Sequence, residues 1–327
     1  MKNKMVIYGC GGTGINVVSS YITAPLEEKA GYAKVEAFLI DTSESNIESP
    51  KVRNAFYKIK LEKDAEGSGS IRAENAPEIM QQVPNFISEK HPGDINIVVA
   101  SANGGSGSTI APVLASELIK RGKPVISILF LDDNNLKSIE NAYRTLVSYD
   151  SMAKKSGVPF ITLLIPNVSI KEANEVAEEY ISMLAMLFSN ENHGLDNADL
   201  RNFLNFTKVT GAAPGVASLM ITDKLGEKYN RNPLSLAMLH TSLDAQEASR
   251  GKFVTGYSCD GIFRLNDGQK IENRTVFFTT EYDEVLEMIR HLKDRTESFQ
   301  AELSGVVNSR IKLDVDGGSV EENGLVL

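Results

Sequence analysis

The first half of the chain alternates short apolar runs, rich in β-branched residues, with amphipathic stretches of helical period. The strand candidates cover residues 5–8, 35–40, 95–100, 125–131 and 160–165, and the helical candidates cover residues 15–23, 73–89, 109–121 and 136–154. This alternation is typical of a parallel sheet with crossover helices. It predicts a doubly wound α/β domain over residues 1–169, whose ligands would bind at the carboxyl ends of the strands.

The second half of the chain begins with one long helix and continues with shorter, less regular elements. A long helix is predicted over residues 170–190, because Ala177, Ile181 and Leu184 recur at helical spacing in a segment that is apolar nearly all round. Shorter strand candidates follow at residues 217–221, 253–257 and 275–279, and a last amphipathic helix is predicted from about 282 to 303. We therefore predict a central helix with its connecting loop over residues 170–194, a smaller α+β domain over residues 195–305 and a flexible acidic tail over residues 306–327.

The composition argues against several classes of protein. The formal net charge is -9, from 34 basic and 43 acidic side chains, so direct nucleic-acid binding is not expected. The two cysteines and four scattered histidines fit neither a disulfide framework nor a zinc site. No segment approaches the ~20 apolar residues of a membrane span. We expect a cytoplasmic protein without a membrane partner.

A glycine-rich loop at residues 9–16 leaves the first strand candidate and opens the first helix. Glycines let the backbone approach a ligand, and the N-terminus of a helix attracts phosphate. Taken alone, this loop fits either a tight structural turn or the dinucleotide fingerprint of a Rossmann enzyme. In such an enzyme, Asp41 at the end of the second strand would hold the ribose.

A second glycine-rich loop at residues 101–112 also follows a strand candidate and opens a helix. Its glycines would expose consecutive N–H groups, and its hydroxyl side chains add further donors, which together suit a di- or triphosphate. No lysine follows at the spacing of a Walker-type P-loop, so that motif is excluded.

With two such loops in this order, the sequence resembles the tubulin and FtsZ superfamily, and its size and motif order are most similar to those of PhuZ-type phage tubulins. Residues 9–16, 41–43 and 67–72 resemble the family's first three nucleotide loops, and residues 101–112 match its signature loop, with Thr109 in place of the last glycine. The resemblance implies a GTPase that binds GTP or GDP with Mg²⁺, whose protein ligands stay undefined. It assigns nucleotide contacts to Gly11, Gly12, Thr13, Asn16, Asp41, Thr42, Gly69, Ser70, Asn103, Gly104, Gly105, Ser106, Gly107, Ser108, Glu140, Asn167 and Asn174.

Amide side chains suit recognition of a guanine base, because they both donate and accept hydrogen bonds. The resemblance implies that Asn167 approaches the guanine ring and that Asn174, or its neighbour Glu175, reads the base edge. Without the motif order, Asn167 would be interpreted as a turn cap and Asn174 as a solvated helix position.

Two acids, Asp196 and Asp199, follow the central helix. Their spacing alone favours helix capping. The resemblance instead implies that both are catalytic and polarise the water that attacks the γ-phosphate, although Gly194 replaces the family's leading Asn. A helix rises 1.5 Å per residue, so the acids lie on the order of 30 Å from Asn174 and must act on the next subunit. The sequence therefore predicts head-to-tail self-assembly into a filament.

Three alternatives remain open at the level of the sequence. An NAD(P)-dependent oxidoreductase would use the first loop and Asp41, but it leaves the other loops unexplained. A nucleotide-binding scaffold without activity would not need the two acids. Within the family, a plasmid-segregating TubZ-type or divergent FtsZ-type filament is the alternative to a phage filament. A phage filament would act in the host cytoplasm, with a phage capsid or DNA compartment as candidate cargo.

Overall fold

A computed structural model describes residues 1–23, 31–47, 49–62, 67–223, 233–251, 253–264 and 273–310. Its strands form one ten-stranded sheet in the order β3-β2-β1-β4-β5-β6-β7-β10-β8-β9. The strands are β1 (Lys4–Cys10), β2 (Lys34–Asp41), β3 (Phe56–Lys58), β4 (Ile95–Ser101), β5 (Val125–Leu131), β6 (Phe160–Pro166), β7 (Val216–Thr222), β8 (Ser235–His240), β9 (Tyr257–Ile262) and β10 (Thr275–Glu281).

Helices cover both faces of this sheet. They are α1 (Gly11–Thr23), α2 (Pro50–Ala55), α3 (Ala76–Lys90), α4 (Ser106–Lys120), α5 (Leu136–Ser156), α6 (Ile170–Leu187), α7 (Asn197–Leu204), α8 (Thr207–Thr210), α9 (Leu243–Ser249) and α10 (Asp283–Arg310). Among the described residues, no helix is long and apolar enough to cross a membrane.

The strands from β3 to β7 run parallel, as the predicted doubly wound fold requires. The register is continuous, with Ile7 of β1 opposite Ala37 of β2 on one side and Ile97 of β4 on the other. Strands β1, β4 and β5 are buried almost throughout, which explains why each one reads as an unbroken apolar run. The loops that follow these strands all emerge at the carboxyl edge of the sheet.

Two apolar layers enclose the sheet. One is formed with α1 and α6, and the central helix α6 contributes Ala177, Ile181 and Leu184, which are fully buried. The other is formed with α3, α4, α5 and α10. The predicted buried central helix is therefore present, although it ends at Leu187 instead of residue 190.

The second half of the chain extends the same sheet. Strand β7 pairs parallel with β6, whereas β10 pairs antiparallel with both β7 and β8. The predicted strand at residues 253–257 was wrong in position, because the pairing with β8 begins at Tyr257 and β9 runs to Ile262. Phe253, which suggested a strand, instead packs its ring against Phe277 at a centroid distance of 5.4 Å.

The last helix differs from its predicted bounds. Helix α10 continues to Arg310, so the predicted tail over residues 306–327 begins inside a helix. The rest of the predicted tail, residues 311–327, lies outside the described residues.

Candidate functional site

A cavity of about 550 Å³ opens at the carboxyl edge of the sheet. It is bordered by the loops after β1, β2 and β4 and by the segment before α3. Its lining residues are Cys10, Gly11, Gly12, Thr13, Asp41, Ser43, Ser45, Gly67, Ser68, Ser70, Ser101, Gly104, Gly105, Ser106 and Gly107. The structure thus brings together four sequence segments that the motif order assigned to a nucleotide.

The two glycine-rich loops touch each other at their backbones. Gly11 has a φ of +68°, and a Cβ on it would lie 2.7 Å from the Cα of Gly107. A Cβ on Gly107 would in turn lie 2.7 Å from the carbonyl oxygen of Cys10. By contrast, a Cβ on Gly104 would meet no atom of the described residues within 4 Å. Gly11 and Gly107 therefore serve the packing of the loops, whereas Gly104 borders the open space of the cavity.

Helix α4 points its N-terminus at the cavity. It begins at Ser106, and its N-cap Gly105 offers no side-chain hydrogen bond to the first N–H groups. Such free N–H groups and the helix dipole favour an anion. Thr109, which stands in place of the family's last glycine, is accommodated because its hydroxyl donates to the carbonyl oxygen of Gly105 at 3.0 Å.

A chain of hydroxyl groups joins three of the segments. The Oγ1 of Thr42 lies 2.7 Å from the Oγ of Ser106, which donates to the Oγ of Ser68 at 3.3 Å. Asn75, a buried residue that sequence reasoning missed, donates to Thr42 at 3.4 Å and to the carbonyl oxygen of Gly67 at 2.9 Å. The segment 67–70 is therefore tied directly to the signature loop.

Asn141 of α5 is a second residue that sequence reasoning missed. Its fully buried amide donates to the carbonyl oxygens of Ser70, Asn103 and Gly104 at 2.8, 2.9 and 3.2 Å. It thereby holds the segment 67–70 against the signature loop. The available signal was a pair of polar residues, Asn141 and Thr145, one turn apart on the mainly apolar buried face of α5.

Arg72 places a positive charge behind the signature loop. Its Nη2 donates to the carbonyl oxygen of Ser108 at 3.1 Å and to the Oγ of Ser148 at 3.4 Å. Burial, and secondarily the nearby charge of Arg144, lowers the pKa of Arg72 to about 10. The guanidinium stays protonated at neutral pH and favours anions in this part of the molecule.

Asp41 supplies the only carboxylate among the described residues that line the cavity, and none of these residues is Lys or Arg. Burial raises the pKa of the Asp41 carboxyl, although the N–H of Thr42 and the hydroxyl of Ser106 act in the opposite direction. The cavity therefore holds a carboxylate whose negative charge is disfavoured unless a cation compensates it.

Not all of the predicted nucleotide contacts line this cavity. Thr42, Gly69 and Ser108 belong to the same loops, and the Asn103 amide is occupied by the carbonyl oxygens of Asp132 and Ser138. The carboxylate of Glu140 lies within 4 Å of Lys137 and Arg144 and accepts a hydrogen bond from Gln300 of α10. The three candidate base contacts lie on or near α1 and α6 and stay predictions: Asn16, Asn167 and Asn174.

The candidate catalytic acids begin α7 and form a capping box. The Oδ1 of Asp196 accepts the N–H groups of Ala198 and Asp199 at 2.6 and 3.0 Å, and the Oδ2 of Asp199 accepts the N–H of Asp196 at 3.2 Å. These N–H groups lower the pKa of the exposed Asp196 carboxyl. The capping role that spacing favoured is thus present, and the catalytic role stays a prediction.

The acids lie at the amino edge of the sheet. Asn197, between them, exchanges two side-chain hydrogen bonds of 2.6 and 3.1 Å with Asn3, which immediately precedes β1. Strand β1 has seven residues and spans about 23 Å. The nucleotide cavity lies at the other end of that strand, so the acids and the cavity occupy opposite edges of one molecule.

Comparisons with known proteins agree with this architecture. Residues 4–175 match the Tubulin/FtsZ family, GTPase domain. A phage tubulin-like protein of Pseudomonas phage PhiPA3 is 30% identical over 251 residues, which are 76% of this chain and 70% of that protein. Another, from Pseudomonas phage phiKZ, is 26% identical over 330 residues and covers 96% of each chain.

Solved structures agree over nearly the whole chain. A protofilament of TubZ from Bacteriophage PhiKZ has a TM-score of 0.80 at 25% identity and covers 99% of both chains. The phage tubulin PhuZ with GDP has a TM-score of 0.82 at 22% identity over 99% of both chains. A dinucleotide-dependent oxidoreductase, one of the alternatives that the first loop left open, does not account for this agreement. The chain belongs to the Tubulin/FtsZ family of GTPases and is similar in fold and sequence to phage tubulins, including one solved as a protofilament.

Proposed function

We propose that the protein binds and hydrolyses GTP and polymerises head to tail, with Asp196 and Asp199 of one subunit completing the nucleotide cavity of the next. The observation that carries this proposal is the position of the two sites at opposite edges of one sheet. In a head-to-tail stack, the amino edge of one subunit meets the carboxyl edge of its neighbour. Such a heterologous contact does not close on itself and generates a filament.

The cavity suits a nucleoside triphosphate. The N-terminus of α4 and the exposed N–H groups of the glycine loops would hold the phosphates, and the hydroxyl groups of Ser68 and Ser106 would add donors. Because the described lining residues include no Lys or Arg, the charge of the triphosphate calls for a metal ion. The raised pKa of the Asp41 carboxyl fits a group whose charge such an ion would compensate. Asp41 would hold Mg²⁺ directly or through water, and the ion would neutralise charge on the phosphates.

We propose that the base is guanine and that Asn16, Asn167 and Asn174 read it. A site that hydrogen-bonds a base rejects a different base strongly, because its own polar groups are then left unpaired. Calorimetric titration of the protein with GTP, GDP and ATP tests this assignment. Comparable affinities for ATP and GTP would contradict it.

A phage filament that positions DNA or another cargo in the cytoplasm of a bacterial host is the biological role that we propose. The similarity to phage tubulin-like proteins of Pseudomonas phages supports it over a plasmid-segregating TubZ-type or divergent FtsZ-type filament. Imaging of a fluorescent fusion in infected cells tests this role. A filament that forms during infection and contacts the phage DNA compartment or capsids is expected.

Hydrolysis in trans makes the GTPase rate depend on assembly. The rate per subunit should rise steeply above the critical concentration for polymerisation, as measured by phosphate release and pelleting. A rate per subunit that is independent of protein concentration in the wild type would overturn the proposal.

Mixing experiments test whether one subunit supplies the cavity and its neighbour supplies the acids. Asp196→Ala and Asp199→Ala should bind GTP but lose most hydrolysis, which would give longer-lived filaments. Asp196→Asn is the matched control for folding, because Asn also caps a helix while it lacks the charge. Adding a cavity variant, Gly104→Val, to Asp196→Ala should restore turnover at interfaces where an intact cavity meets intact acids.

A further inference from the structure

Tyr257 contacts one of the two candidate catalytic acids. Its phenolic hydroxyl donates to the Oδ1 of Asp199 at 3.3 Å, across 58 residues of sequence. The other oxygen of Asp199, Oδ2, accepts the N–H of Asp196 at 3.2 Å. The carboxylate of Asp199 is therefore oriented by one contact on each oxygen, and each oxygen keeps a lone pair for water.

Strand β9 fixes the position of Tyr257. The residue begins the strand, where it pairs with Ser235 of β8, and its carbonyl oxygen accepts the hydroxyl of Thr255 at 2.7 Å. Its ring packs, half-buried, against the apolar layer that contains α6 and α7. A hydroxyl on such a strand has little freedom, so it can set the rotamer of the side chain that it contacts.

The same strand holds the loop before the acids. His193 exchanges two backbone hydrogen bonds of 2.9 Å with Ile262, the last residue of β9. Gly261 permits a close approach, because a Cβ on it would lie 2.6 Å from the Cβ of Leu195. The loop before the acids and the tyrosine that contacts Asp199 are therefore both held by strand β9.

Tyr257 also stays a hydrogen-bond donor under working conditions. Burial, followed by the nearby Cys259 and Asp199, raises the pKa of its phenol above the ordinary value, while Asn202 acts in the opposite direction. The hydroxyl is protonated throughout the neutral range.

We infer that Tyr257 is a positioning residue for GTP hydrolysis: its hydroxyl holds Asp199 in the orientation in which it polarises water in the neighbouring subunit's cavity. This inference rests on the proposed function, since it requires that the acids act in trans. Positioning the nucleophile is the main task of a protein in phosphoryl transfer, so a misoriented carboxylate costs rate more than binding.

The test is Tyr257→Phe, which removes the hydroxyl and keeps the ring. We expect the GTPase rate per subunit in filaments to fall by about tenfold, with the affinity for GTP and the critical concentration changed by less than about twofold. Tyr282→Phe is the matched control, because it removes a tyrosine hydroxyl that donates to the carbonyl oxygen of Ala213 and to neither acid. An unchanged rate for Tyr257→Phe, or an equal loss in both variants, would refute the inference.

Mixing separates positioning from a folding defect. Tyr257→Phe subunits keep an intact cavity, and Gly104→Val subunits keep intact acids and an intact Tyr257. Their mixture should recover turnover at interfaces that combine the two intact halves, whereas a general folding defect in Tyr257→Phe would leave the mixture slow. If Asp199→Ala is rescued by Gly104→Val while Tyr257→Phe is fully active alone, the trans mechanism stands and only the role of Tyr257 falls.

Discussion

At the scale of single residues, two glycines of the nucleotide cavity have opposite surroundings. Gly11 combines a φ of +68° with a closest approach of 2.7 Å between its hypothetical Cβ and Gly107, whereas the Cβ of Gly104 would enter open space. Gly11→Ala should lower the free energy of unfolding by about 1–3 kcal/mol, because the left-handed backbone and the loop contact both oppose a side chain.

Gly104→Ala is the matched partner of that substitution. It should leave the free energy of unfolding within about 0.5 kcal/mol of the wild type and yet weaken GTP binding, since the new methyl group would occupy space for the ligand. Chemical denaturation and calorimetry measure the two effects. Equal losses of stability in Gly11→Ala and Gly104→Ala would contradict the assignment of one glycine to packing and the other to the cavity.

Asp41 is the residue whose charge should cost stability in the absence of ligand. Burial raises its folded-state pKa above that of the unfolded chain, so the folded protein binds a proton more tightly. The contribution of Asp41 to the free energy of unfolding therefore falls as pH rises from the ordinary pKa of Asp through the raised folded pKa. Above the folded pKa, the charge destabilises the folded protein in full. Asp41→Asn should raise the melting temperature at neutral pH without nucleotide, lose that advantage in acid and weaken Mg²⁺-GTP binding. A lower melting temperature at neutral pH would argue against this reading.

At the scale of elements, α5 connects two loops of the cavity through Asn141. Asn141→Ala removes the amide that donates to Ser70, Asn103 and Gly104, so it should free the segment 67–70 and lower GTP affinity as well as stability. Ser242→Ala is the control, because it removes the N-cap of α9 at a cost of about 1 kcal/mol and Ser242 is not among the residues that line the cavity. Calorimetry on the two variants should show weaker GTP binding only for Asn141→Ala. Equal affinities would show that α5 does not contribute to nucleotide binding through Asn141.

The central strands in the first half of the chain could be predicted because β1, β4 and β5 are buried on both faces. Each such strand is a continuous apolar run, and each glycine loop follows one directly. Strand β8 was missed because its apolar residues include no β-branched side chain, and β9 was placed too early because its burial is mixed and its bounds are set by pairing with β8. Asn141 and Tyr257 were missed for a related reason, since their contacts depend on elements that are distant in sequence.

At the scale of the whole molecule, the sheet carries the cavity on one edge and the acids on the other, and α10 returns the chain to the cavity side. The hydroxyl of Tyr282, just before α10, donates a hydrogen bond to the carbonyl oxygen of Ala213. Near the other end of α10, the amide of Gln300 donates to the carboxylate of Glu140, in the first turns of α5, at 3.2 Å. Helix α10 therefore runs antiparallel to α5 toward the nucleotide edge. In a head-to-tail filament, that edge faces the amino edge of the next subunit.

The segment 306–327, which begins in the last turns of α10, has a composition that suits a contact with that neighbour. It contains four acids, Asp314, Asp316, Glu321 and Glu322, against two bases, and residues 325–327 are apolar. Such an acidic segment is more often exposed to solvent than bound to a partner. Three consecutive apolar residues are unusual in a purely solvated acidic segment. A cleft at the amino edge also offers Lys123, Arg201 and Lys208, and no carboxylate oxygen of the described residues lies within 4 Å of their charged groups.

Deleting residues 314–327 should therefore leave the nucleotide cavity folded and GTP affinity unchanged, and raise the critical concentration for polymerisation. If the contact is electrostatic, the effect should be larger at low salt, because ions screen the attraction between exposed charges. Replacing Asp314, Asp316, Glu321 and Glu322 by their amides is the matched control, since it keeps the apolar terminus: a partial effect assigns the remainder to the last three residues. Critical concentrations measured by pelleting at low and high salt decide the matter. A truncated chain that assembles at the wild-type critical concentration in both conditions would show that the segment is not an assembly contact.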